Sequence, residues 1–69
     1  MENKIKTSEY ESAYNYADKM DWFIDGDINV DYYDIVDLAS DASYITGIDE
    51  EILIQAMIDY LKDELGYEI

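Results

Sequence analysis

Apolar residues recur along this chain at helical spacing in three blocks. In the first, Tyr10, Ala13, Tyr16, Ala17, Met20, Phe23 and Ile24 share one side of a helix expected from about Glu9 to Ile24. Ser8 and Glu11 stand at the spacing of a capping box. Gly26, inside Asp25-Gly26-Asp27, suits the left-handed residue that follows a helix end. The second block aligns Ile35, Leu38, Ala39, Ala42 and Ile45, with Asn29 or Asp31 as cap and an end near Tyr44, ahead of Gly47. The third runs from an Asp49 cap to about Leu65, with Gly66 as stop and Ile48 and Leu53 placed as a hydrophobic staple. Its apolar set (Ile52, Leu53, Ile54, Ala56, Met57, Ile58, Leu61, Leu65) covers more than one face, as in a central helix or a dimer seam. Residues 1–69 thus read as one all-α, three-helix domain, with 1–7 a frayed lead. At Ile28–Tyr33 apolar and polar residues alternate, so a short strand over 28–33 is the competing expectation there.

Composition changes this picture in one respect. With eighteen acids against four bases, the 69 residues carry a net charge of −14, a ratio typical of disordered chains. It is opposed by 49% apolar residues, including eight tyrosines and a tryptophan, with no proline and three glycines. Such a chain folds, but a core this small supplies only about 3–5 kcal/mol, and no cysteine is present to form a disulfide. Self-association, as a homodimer, is the expected remedy. No apolar run has the length of a signal peptide or a membrane span, so action inside a cell, in the cytoplasm, is expected.

The charge is not evenly laid. Between Asp18 and Asp41 stand eight aspartates (18, 21, 25, 27, 31, 34, 37 and 41) and one base, Lys19. On helices, Asp18, Asp21 and Asp25 fall within about 60° of one another, and Asp27, Asp31, Asp34, Asp37 and Asp41 within about 120°. These would be two carboxylate stripes. Like charges at i,i+3 and i,i+4 cost roughly 0.2–0.5 kcal/mol per pair, so ordinary helix faces mix signs. Aspartate outnumbers glutamate eleven to seven despite its poorer helix propensity. Its short side chain holds a charge close to a rigid backbone. Tyr14 and Trp22 lie near the first stripe, and Tyr33 and Tyr44 flank the second. Exposed rings in such places anchor a partner and accept arginine or lysine by cation–π contact.

Candidate chemistry is mostly excluded by missing parts. Without histidine or cysteine the common bases and nucleophiles are absent, and no Gly-rich phosphate loop or basic patch occurs, so no enzyme is expected. Asp25-Gly26-Asp27-Ile28-Asn29 opens like a calcium loop, which makes a calcium-binding helix-loop-helix module one alternative. Val30 stands where that loop turns on glycine, and Val36 where it needs a bidentate carboxylate, so neither a metal nor a cofactor is expected. An acidic helical adaptor is the other alternative. The main expectation is a cationic protein partner, because such a surface repels nucleic acid and anionic lipid. Along a helix Asp34 to Asp41 span about 10 Å, and duplex phosphates advance about 3.4 Å per strand step, so alternate carboxylates stand in for phosphates.

In these features (small size, intense acidity, many tyrosines, no catalytic side chains) the chain resembles the DNA-mimic proteins encoded mainly by bacteriophages. The class includes inhibitors of restriction enzymes, of CRISPR nucleases, of uracil-DNA glycosylase and of the nucleoid protein HU, and it shares no single fold. The resemblance is compositional and spans the whole chain. It implies an inhibitor that acts in the cytoplasm of an infected bacterium, competing with DNA for a basic DNA-binding protein. A two-fold binder such as HU is favoured, with a CRISPR nuclease or restriction enzyme next.

Overall fold

Residues 8–69 are described by the computed structural model. Three helices follow in order: α1 (Ser8–Lys19), α2 (Tyr32–Thr46) and α3 (Glu50–Leu65). The lead expected at 1–7 lies outside the described residues. Ser8, the first described residue, is already helical. That displaces Ser8 from the capping role the Ser8–Glu11 spacing suggested.

α3 is the central helix. Leu53, Ala56, Met57, Tyr60 and Leu61 are buried along it, and both α1 and α2 pack against it. Among the described residues α1 and α2 do not approach each other within 8 Å at their Cα atoms. The apolar surplus of α3 is therefore partly covered within the chain, with Ile52, Ile54, Ile58 and Leu65 half-buried. Alanines make close approach possible: Ala13 and Ala17 on α1, Ala39 and Ala42 on α2, and Ala56 on α3 are all buried. Ile35, Leu53, Met57 and Leu61 are the largest side chains wholly removed from water.

The local signals act where the backbone needs them. Asp31 caps α2 by accepting from the Asp34 amide at 2.9 Å, while the Asp34 carboxylate accepts from the Asp31 amide at 3.1 Å. This is a reciprocal capping box at the positive end of the helix dipole. Gly47, in the left-handed conformation, ends α2 through a bond from its amide to the Ser43 carbonyl, two residues beyond the expected end. Asp49 caps α3 by accepting from the Glu51 amide at 2.8 Å, and its own amide donates to Glu9, joining the start of α3 to α1.

Two expectations are corrected. Helix 1 stops at Lys19, not Ile24. A helix carried through to Trp22 would aim that side chain about 140° away from Ala17. Leaving the helix instead turns the indole inward: Trp22 is 4% exposed, and its Nε1 donates to the Ala17 carbonyl at 2.8 Å. One side chain thus fills the core and adds a second donor to a carbonyl that also accepts from the Met20 amide at 3.1 Å. Phe23 and Ile24, expected on the buried face, are left 50% and 62% exposed.

The second correction concerns the strand. Residues 28–33 form no strand, and α2 begins at Tyr32. The backbone pairing occurs earlier, between Ile24 and Asp27, which exchange both amide–carbonyl bonds at 2.7 and 3.0 Å. Asp25 (φ 54°) and Gly26 (φ 86°) are the two central residues of this tight turn, the type I′ geometry that Asp-Gly favours. Gly26 is left-handed as expected, but in a hairpin turn and not behind a helix. Beyond it, Val30 finds a side chain where a strand would find a neighbouring backbone. Its carbonyl accepts from the Tyr67 hydroxyl at 2.7 Å, and its amide donates back to the same oxygen at 3.3 Å.

Candidate functional site

All eight aspartates of the 18–41 stretch are exposed, but the fold uses them in different ways. Asp18, on α1, accepts from the Tyr60 hydroxyl at 2.9 Å. Asp21 lies past the helix and accepts from the Phe23 amide at 3.1 Å. Asp25 and Asp27 belong to the hairpin turn. The first stripe therefore does not form, because a helix ending at Lys19 cannot align Asp18 with Asp21 and Asp25. Nor does Asp27 belong to the second, and Asp31 sits at its edge as the cap of α2.

A shorter row survives on α2. Asp34, Asp37 and Asp41 fall within an arc of about 60°, and Tyr33 and Tyr44 widen it to about 100°. Tyr33 is 78% and Tyr44 94% exposed, so the rings stand in water at either end of the row. Asp31 and Asp34 stabilise the helix through the capping box, which reverses the expected penalty at these two positions. Asp37 and Asp41 remain: both are exposed, four residues apart, and neither enters a hydrogen bond among the described residues. No lysine or arginine occurs anywhere between Lys19 and Lys62, so α2 has no cation along its length.

The other two aromatic candidates are drawn inward. Trp22 is a core residue. Tyr14 is half-buried, its ring 6.1 Å from that of Tyr10 and 5.5 Å edge-on from that of Tyr60. Its hydroxyl donates to Glu64 at 3.3 Å. Tyr14 thus belongs to the seam between α1 and α3, where Tyr10 donates to Asp59 and Tyr60 donates to Asp18. All three phenols are held in the neutral form. Burial, then the bond to Asp59, pushes Tyr10 well above the usual tyrosine range. Tyr14 is raised by burial and then by the charge of Glu64. Tyr60 is raised first by its bond to Asp18 and then by burial.

No family model, curated protein or solved structure matches this chain. Among the described residues no three carboxylates converge on a point where a metal ion could sit, and Asp25-Gly26 is closed into a two-residue turn rather than opened as a twelve-residue calcium loop. No described helix is long and apolar enough to cross a membrane. What the α2 face offers is a rigid pair of unpaired carboxylates with a phenol at each end. That set attracts guanidinium and ammonium groups by charge and receives them over the ring faces.

Five further apolar residues are exposed: Phe23, Ile24 and Ile45, which were expected on buried faces, and Tyr32 and Ile69, which the sequence did not single out. For Tyr32 a signal existed, since two adjacent tyrosines just after a cap cannot both face the core. Ile45 completes the apolar spacing of α2 yet is 70% exposed, which nothing local discloses.

Proposed function

We propose that this protein is an anionic decoy of nucleic acid, a DNA mimic that occupies the DNA-binding surface of a basic protein and so inhibits it. The carrying observation is the outer face of α2, where Asp37 and Asp41 stand unpaired between exposed Tyr33 and Tyr44 on a helix without a cation. Natural helix faces relieve such charge with an interleaved lysine or arginine. Here the neutralising partner is another molecule.

The row is not a copy of a phosphate strand. Asp34 through Asp41 spans about 10 Å, room for three carboxylates where a strand places about four phosphates. Electrostatic potential carries the likeness, and the tyrosines supply contact area that a sugar-phosphate backbone lacks. Lysines and arginines of the target meet carboxylates in place of phosphates, and DNA is shut out. Action takes place in the cytoplasm of an infected bacterium. A nucleoid protein of the HU kind is the favoured target class, and CRISPR nucleases and restriction enzymes come next. One copy supplies one row; a homodimer, suggested by the small core, supplies two, and sedimentation at low and high salt decides which form acts.

The test is capture of basic DNA-binding proteins from bacterial lysate on the immobilised chain, repeated with excess duplex DNA. The expected result is a captured protein that DNA displaces and that rising salt releases. The decisive variant is Asp37→Asn with Asp41→Asn, because these two carboxylates hold no part of the fold together. It should fold normally and lose the captured protein. Capture that survives both DNA competition and this double substitution overturns the reading.

A further inference from the structure

The hairpin between α1 and α2 is built more firmly than a connection needs. Trp22 anchors its root in the core through the bond to Ala17, and Tyr67 clamps Val30 on the far side. Between these anchors the Ile24–Asp27 pair closes the turn with two backbone bonds. Asp25, a residue with a Cβ, is held at positive φ to make that closure, a conformation L-residues visit at some cost. The result is a fixed projection, and its two large side chains, Phe23 and Ile24, are at least half exposed. Neither is needed to close the core. Three exposed carboxylates, Asp21, Asp25 and Asp27, lie within three residues of one or the other along the chain, and Lys19 is the one base nearby in sequence.

An apolar tip ringed by one sign of charge selects what can cover it. A second copy of this chain would bring like charges together across the contact, and anionic lipid would be repelled. A recess lined by apolar side chains and rimmed by lysine or arginine satisfies both parts. We infer that the hairpin is a second contact element, in which Phe23 and Ile24 plug an apolar recess of the cationic partner while Asp21, Asp25 and Asp27 pair with its basic rim. This rests on the anionic-decoy reading and extends it: the α2 face reads charge, and the hairpin reads an apolar depression beside it. A polynucleotide presents no such plug, so one part of the affinity, beside the larger part that salt weakens, comes from a contact that salt does not screen.

The probes are two cationic peptides of equal length and charge, one alternating arginine with leucine and the other arginine with serine. The unaltered chain should bind the leucine peptide more tightly, by about tenfold for each apolar side chain buried. Amide shifts on binding should include residues 21–27. Phe23→Ser with Ile24→Ser should abolish the preference while the thermal melt stays in place, since both side chains are exposed. Asp37→Asn with Asp41→Asn should weaken both peptides equally and leave the preference intact. Equal binding of the two peptides, or a preference that survives the serine substitutions, overturns the plug and leaves the charge reading standing. Binding of neither peptide overturns both.

Discussion

Tyrosine and carboxylate meet on two sides of this molecule with opposite outcomes. In the α1–α3 seam, the hydroxyls of Tyr10, Tyr14 and Tyr60 donate hydrogen bonds to Asp59, Glu64 and Asp18, and Tyr10 and Tyr60 are buried. On the outer face of α2, Tyr33 and Tyr44 are exposed beside Asp37 and Asp41, and no bond joins ring to acid. The residue types are the same. In the seam the acids find donors within the chain, so they contribute to folding. On α2 they find none, so they contribute only to what the chain meets. Surface charge is thus a mixture of structural and free carboxylates, and the free ones keep every lone pair for a partner.

The sharpest break between the two regions is expected in stability. Tyr10→Ala or Tyr60→Ala should cost about 3–5 kcal/mol, enough to unfold a domain this small, whereas Tyr33→Ala and Tyr44→Ala should stay within about 0.5 kcal/mol. Urea unfolding followed by circular dichroism reads both. Equal losses on the two sides would erase the distinction.

Binding should show the reverse order. Asp37→Asn with Asp41→Asn should weaken partner affinity by roughly 10- to 100-fold and flatten its salt dependence, as expected when two ionic contacts are removed. The same substitutions should leave stability unchanged or raise it by roughly 0.2–0.5 kcal/mol, because they remove an i,i+4 repulsion. Titration calorimetry at several salt concentrations, beside a melt, measures both.

Alkali should act through the seam. The phenols of Tyr10, Tyr14 and Tyr60 have folded values raised above the ordinary tyrosine value of 10.0. The unfolded chain therefore releases these protons first. Their stabilisation is complete below pH 10 and is lost as pH climbs from there through the raised folded values. Tyr60→Phe should make the melt less sensitive to alkali, at a cost of about 1 kcal/mol in neutral solution for the lost bond to Asp18. Tyr44→Phe should alter neither.

The smallest effect is one of sign. Added salt should raise the melting temperature slightly, by screening a net charge of −14, while it releases the partner. Salt that moves both in the same direction would argue against a charge-held complex.

Much of the architecture was legible along the chain. The number of helices, the Asp31 and Asp49 caps, and the Gly47 and Gly66 stops all depend on bonds between neighbours in sequence, which local spacing reports. The Asp34-Asp37-Asp41 row and its flanking Tyr33 and Tyr44 were legible for the same reason: once α2 exists, 3.6-residue periodicity places them. The fate of Trp22 was not. Its apolar neighbours fit a continuing helix, and only the space beside Ala17 and the core behind it favour leaving the helix at Lys19. Losing that turn broke the first stripe, because Asp21 and Asp25 went with the departing backbone.

Sequence alone therefore determined which residues carry charge, which helices form and where two of them end. Tertiary structure decided which acids are free. A carboxylate is engaged by whichever donor folding brings within hydrogen-bond reach, and three donors here came from far along the chain: Tyr60 to Asp18, Tyr10 to Asp59 and Tyr14 to Glu64. Such pairings depend on how α1 and α3 lie together, a property of the packed core that no local spacing encodes.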